Sequence, residues 1–311
     1  MSAQETLAWE AEHRKRAAYA AFAAAGLTLI GDIVTGLSRA IGRHDDRALT
    51  LVDTLRRAAE GQPIPPGRLS AQAMDLGHNV PGEIAGVVLF CLGTLLLYPV
   101  IAFLFRATRA RRPQLPQLAL ILGAAGTVAY AVGRTVAEVA QFLRARDFVH
   151  AADQTNSAAN AALSSSATLV GQLFWEVGGL ALAFGFVMIA LNAMKVGLLT
   201  RFMGVLGAIV GATFVLQLDQ PGILRMFWLG ALGLVLLGRW PGGIPPAWAT
   251  GEAEPWPTKQ QLREQRDAAR GAGGDGDAKA ARTPAPMPPK PRRPEPAEPS
   301  SSAKRKRKRR S

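Results

Sequence analysis

Seven ionisable residues sit inside or at the edges of otherwise apolar stretches of this chain: Asp32, Glu83, Arg134, Glu138, Glu176, Asp219 and Arg225. A charged side chain at membrane depth is costly, so such groups face a protein interior or a water-filled cavity and mark ion, proton or ligand paths. Arg134 and Glu138 are four apart, so on a helix they share a face and can pair. Glu176, between Trp175 and Val177, is the most deeply placed acid, and Asp32 is next. One arrangement these residues support is a polar cavity open to one side. In it Asp32 and Glu176 are the ion, proton or ligand contacts, Arg134 is their counter-charge, and Glu138, which pairs with Arg134, lines the same cavity. The plainer arrangement is a set of structural pairs and snorkelling groups near the interface. The sequence favours the plainer one, because closeness to the interface lowers the cost of each charge.

Other chemistry is sparse. His44, His78 and His150 lie near Asp45, Asp46 and Asp153, and imidazole with carboxylate can bind zinc or copper. No HExxH or CxxC accompanies them, so solvated loops are expected and no metal site. There is no GxSxG elbow and no Walker A sequence. The formal GxGxxG at Gly271, Gly273 and Gly276 follows no strand pattern and reads as chance. The single cysteine, Cys91, excludes a disulfide framework and reads as apolar filler. No catalytic residue and no cofactor is expected, and a membrane-embedded enzyme lacks a nucleophile–base or metal constellation.

The elements that must position the charges are helices. Six apolar runs approach the roughly 20 residues needed to cross a hydrocarbon core of about 30 Å: Ala17–Ser38, Ile84–Phe105, Leu115–Ala137, Val170–Leu191, Phe202–Leu218 and Gly222–Gly238. No alternating barrel pattern is present. The expected fold is all-α, a six-helix transmembrane bundle (residues 17–240) with a disordered C-terminal tail. Arg14, Lys15 and Arg16 before the first run also suit a signal peptide, but five further runs favour a retained anchor. Pro99 should kink the second run by removing a backbone donor. Gly207 and Gly211, with Gly204 a turn earlier, give the fifth run a smooth face for a close neighbour.

Orientation follows from Lys and Arg in short loops. Arg106, Arg109, Arg111 and Arg112 after the second run, and Lys195 and Arg201 after the fourth, stand without an acid. These loops, the N-terminus (1–16) and the C-terminus are assigned to the cytoplasmic side of the membrane. Loop 39–83, with six arginines balanced by six acids, falls outside, as do residues 142–169 and the Asp219–Gly222 turn. All seven embedded charges then lie in the outer half.

The chain's 311 residues, 49% of them apolar, carry net charge +13, and these averages conceal a division. Residues 241–311 hold 13 of the 21 prolines and a net +8. That excludes one soluble globular domain of average composition. Residues 241–257 form a Trp/Pro-rich segment; Trp248 and Trp256 within it, and Trp240 just before it, suit the headgroup zone as interfacial anchors. Residues 258–311 are a basic tail, with a short charged helix expected over Thr258–Arg270. The tail ends in seven consecutive cations, Lys304, Arg305, Lys306, Arg307, Lys308, Arg309 and Arg310. Tethered to the membrane and free of interleaved aromatics, this cluster suits anionic lipid headgroups at about 1 kcal/mol per residue, and nucleic acid is disfavoured.

The stretch Asn192–Gly207, then Leu237–Trp248 with Gly-Glu-Ala-Glu-Pro-Trp-Pro following, resembles a family of uncharacterised polytopic membrane proteins of high-GC actinobacteria. The resemblance covers residues 170–257. It implies plasma-membrane residence and a Trp/Pro-rich exit from the last helix, and it carries no activity. The leading expectation is an integral membrane protein that is structural or mediates interactions, with the bilayer and a membrane-protein partner or a second copy as its contacts. The alternative is a small transporter or sensor with an outward cavity at Asp32, Arg134 and Glu176.

Overall fold

The structure is a computed structural model, and it describes residues 2–42, 51–62, 67–216, 219, 222–241 and 243–256. Of a second unit, Pro257–Ser311, it describes only positions 261, 263, 264 and 267. Those four are helical and fall within the expected Thr258–Arg270 helix. The terminal cations Lys304–Arg310, the Gly271–Gly276 motif and His44-Asp45-Asp46 lie outside the described residues.

Among the described residues every regular element is helical. The order is α1 (Ala3–Gly42), α2 (Leu51–Ala59), α3 (Arg68–His78), α4 (Val80–Leu95), α5 (Leu97–Arg111), α6 (Leu118–Val149), α7 (Asn156–Leu163), α8 (Ser166–Lys195), α9 (Arg201–Leu216), α10 (Ile223–Leu236) and α11 (Ala247–Thr250). Among the described residues, each of the six apolar runs is helical over most of its length. Four helical segments are long and apolar enough to cross a membrane: Ala3–Ala40, Val80–Arg111, Leu118–Val149 and Ser166–Lys195. At 1.5 Å per residue, α9 and α10 reach only about 24 and 21 Å, short of a full hydrocarbon core.

The second run breaks where proline chemistry requires. Pro99 offers no N–H to the Leu95 carbonyl and its ring crowds that carbonyl, so α4 stops at Leu95 and α5 starts at Leu97.

Small residues bring the helices together. On α8, Gly171, Gly178 and Gly185 recur every seven residues, which keeps them on one stripe. They press onto the α6 backbone at Ala137, Tyr130 and Gly123. From the other side, α6 Gly126 and Gly133 meet the backbone of Leu182 and Trp175. Gly86 and Gly93 of α4 repeat the device against Thr28, Gly31 and Thr35 of α1. The smooth face of α9 lies against α8, where Gly207 and Gly211 meet Ala190 and Val187.

One end of the bundle is capped by short helices from the two loops assigned outside. Ser70 of α3 donates its backbone N–H to Asn156 Oδ1 (3.2 Å) and its hydroxyl to the Gln154 carbonyl (2.8 Å). Ala73, Phe148 and Ala159 close a small core beneath. In the same cap, Thr155 donates its backbone N–H to Asp153 Oδ1 (3.0 Å), which holds that exposed carboxyl below its ordinary pKa. Ser165 caps α8, its hydroxyl accepting the Thr168 N–H at 3.3 Å. Ser165→Ala is expected to cost about 1 kcal/mol, read as a lower midpoint in thermal unfolding of the detergent-solubilised protein.

At the opposite end the Trp/Pro segment folds back into the bundle. Left-handed turns at Gly238, Gly243 and Gly251, all at positive φ, reverse the chain. Trp248 consequently departs from its expected place as a headgroup anchor. Its ring is 4% exposed, stacks on Phe103 with centroids 5.8 Å apart, and donates Nε1–H to the Leu198 carbonyl (2.9 Å). Trp256, half-buried, donates to the Leu199 carbonyl (2.9 Å), and half-buried Trp240 packs against the core.

The cations at this end are not all loop charges either. Arg111 is fully enclosed and forms a two-pronged pair with buried Glu10 of α1. It donates further to the carbonyls of Ala107 (3.1 Å), Ala247 (2.6 Å) and Glu252 (3.3 Å). Arg14 turns inward, its guanidinium carbon 4.9 Å from the Trp248 ring and one nitrogen donating to the Val235 carbonyl (3.1 Å).

Candidate functional site

Near the capped end, α1, α6, α8, α9 and α10 enclose a cavity of about 330 Å³. Its charges come from four places in the chain: Asp32 and Arg39 on α1, Arg134 and Glu138 on α6, Asp219 in the turn before α10, and Arg225 on α10. Three carboxylates and three guanidinium groups thus share one small space. Tyr130, Trp175 and Phe214 give it aromatic walls, and Thr35 and Thr213 add hydroxyls.

Local structure places each of these groups. Arg134 and Glu138, one turn apart, pair at 2.8 Å, with side chains 19% and 17% exposed. The same guanidinium lies over aromatic rings, its carbon 3.7 Å from the Phe90 centroid and 5.7 Å from that of Trp175. Arg39 at the rim reaches Glu83, which is 2% exposed, at 3.3 Å. Asp219 Oδ2 accepts the backbone N–H groups of Leu224 (3.1 Å) and Arg225 (3.2 Å). That satisfies two orphan donors at the start of α10, where the helix dipole favours an anion. Gly222, at φ 64°, provides the left-handed turn that brings Asp219 back over the helix end.

Two groups remain unsatisfied. Arg225 is 6% exposed, with its guanidinium carbon 5.2 Å from the Phe90 ring and 5.4 Å from the Phe214 ring. Its Nε is buried with no hydrogen-bond partner, and so is Asp32 Oδ2. Neither Asp32 nor Arg225 takes part in an ion pair among the described residues, whereas Arg134 and Arg39 each have a carboxylate. A buried polar atom without a partner costs about 1–3 kcal/mol, so these two atoms mark where the site is incomplete.

Three of the four residues singled out in the sequence, Asp32, Arg134 and Glu138, therefore line one cavity. Glu176 does not. Its side chain is exposed and borders a separate recess of about 340 Å³ with Val177, Leu180, Phe214 and Val215. The reason is helical phase: Gly171 and Gly178 fix which face of α8 packs on α6, and Glu176 falls off that face while Trp175 turns into the cavity. Arg225 is the residue that sequence reasoning undervalued. It reads as a turn-flanking cation, yet it lies three residues past the α10 cap, on the face carrying buried Trp228, Leu229 and Leu232. An arginine at that phase of an apolar helix was the available signal.

No group of three or more His, Cys, Asp and Glu able to hold an ion occurs among the described residues. His78 Nδ1 instead lies 2.5 Å from the Met74 carbonyl of its own helix. No protein-family model, curated protein or solved structure matches this chain.

Proposed function

We propose that the chain is a six-crossing protein of a bacterial plasma membrane whose cavity is open to the outside and binds a small polar ligand, as a transporter or sensor does. The observation that carries this reading is the convergence of Asp32, Arg134, Glu138 and Arg225 on one cavity. Structural pairs would each close at the rim, and two of these groups do not. The family resemblance over residues 170–257 is consistent with plasma-membrane residence.

Exposed apolar faces support the crossings. Leu173, Phe174, Val177, Leu180 and Phe184 of α8 are exposed. So are Phe202, Val205, Ile209 and Leu216 of α9, and Ile223 and Phe227 of α10. Apolar surface on that scale suits lipid rather than water. The two short helices cross with locally thinned bilayer. Arginines at the Trp248 end then lie inside by the rule of basic cytoplasmic loops, and the capped end lies outside. The cations 304–310 engage anionic headgroups on the inner surface.

Thiol labelling tests the reading. In a Cys91→Ser background, Thr213→Cys is expected to react with a membrane-impermeant maleimide on intact cells. Ala110→Cys, near the opposite end, is expected to react only after permeabilisation. The reverse pattern overturns the orientation, and a Thr213→Cys protein unreactive in both states overturns the open cavity.

A further inference from the structure

We infer that the cavity takes a small zwitterion, a molecule with one carboxylate and one ammonium group of the amino-acid class; this rests on the cavity being a ligand site open to the outside. The inference follows from which charges are already satisfied. Arg134 has Glu138, Arg39 has Glu83, and Asp219 caps α10. With those removed from consideration, the described residues of the walls offer one cation, Arg225, and one anion, Asp32, each with a buried atom lacking a partner. A monovalent anion would satisfy Arg225 and leave Asp32 bare; a monovalent cation would do the opposite. A zwitterion answers both and leaves the balanced lining, three acids against three bases, unchanged.

Each half has a chemical fit. The guanidinium presents parallel N–H donors that match the two oxygens of a carboxylate. An ammonium has three donors for the Asp32 carboxylate, and the ring faces of Tyr130, Trp175 and Phe214 attract a cation as well. The same rings accept an apolar side chain. A space of about 330 Å³ is at the small end of the range for ligand pockets, which favours a single amino acid over a peptide. The aromatic contacts of Arg225 hold its charge in place but leave Nε–H unanswered, so binding replaces no existing hydrogen bond at that atom.

The test uses the full chain purified in lipid nanodiscs. Each of the twenty standard L-amino acids is screened by thermal shift, and the strongest is titrated by calorimetry beside its methyl ester and its N-acetyl derivative. The ester keeps only the ammonium and the acetyl form only the carboxylate. At least one zwitterion is expected to bind, with each single-charge analogue about 100-fold weaker, as for other buried charge pairs that lose a partner. Asp32→Asn should erase the preference over the acetyl form, and Arg225→Gln the preference over the ester. Should Arg225→Gln fail to fold, Arg225→Lys keeps the charge but loses the fork, and is expected to bind the zwitterion at least tenfold more weakly. The proposal is overturned if no amino acid binds, or if the single-charge analogues bind as well as the parent. Labelling of Thr213→Cys separates the two levels: a cavity that labels from outside but binds no zwitterion retains the ligand-site reading and loses only this one.

Discussion

Arg111→Met is expected to destabilise the protein by about 3–5 kcal/mol, the range for removing one member of a buried ion pair. The reason is what the substitution leaves behind. Glu10, 2% exposed, would keep its charge in a closed space without a cation. The carbonyls of Ala247 and Glu252 would lose the donor that ties the returning Trp/Pro segment to α5. Arg111→Lys should recover little, because one ammonium cannot reach acceptors on α1, α5 and the 247–252 segment together. The double variant Glu10→Leu with Arg111→Met should recover much of the loss, since an apolar pair of similar size carries no desolvation cost. Denaturant unfolding in detergent measures all four proteins. A single-variant loss under about 1 kcal/mol, the usual worth of an exposed pair, would show that Arg111 is solvated.

Gly178→Ala is expected to destabilise by about 1–3 kcal/mol, the cost of overpacking, although alanine exceeds glycine in helix propensity by about 1 kcal/mol. A Cβ at Gly178 would strike the Tyr130 amide and come 2.7 Å from the Ala129 carbonyl carbon. Backbone cannot step aside as a side-chain tip can, so α6 and α8 must separate. That separation would also move Tyr130 and Arg134 away from Trp175, widening the cavity. Gly26→Ala and Gly230→Ala serve as controls of opposite sign, because nothing lies within 4 Å of a Cβ at either position. They should raise stability or leave it unchanged. If Gly178→Ala behaves like these controls, the close α6–α8 contact is wrong.

The two effects differ in how visible they were beforehand. Hydropathy located every long helix, because an apolar run must satisfy its own backbone and helix is the only way to do so within one segment. Pro99 located the α4–α5 break for an equally local reason. The seven-residue spacing of Gly171, Gly178 and Gly185 is a pattern of the sequence itself, but the helix it packs against is not. Arg111 could not be separated from its neighbours Arg106, Arg109 and Arg112 by residue type. Its role depends on Glu10, which is 101 positions away, and no local pattern links them.

The candidate site divides along the same line. Residue type and depth alone determined that Asp32, Arg134 and Glu138 were costly groups needing an interior, and their spacing determined the Arg134–Glu138 pair. Tertiary packing decided which charges meet. It turned Trp175 into the cavity and Glu176 away from it, and it buried Arg225 beside Phe90 and Phe214. It also drew Trp248 from an expected anchor into the core. The physical reason is that hydropathy is a property of each segment by itself, whereas helix phase and neighbour choice are fixed by close packing between segments. That packing runs through glycines whose partners lie tens of residues away.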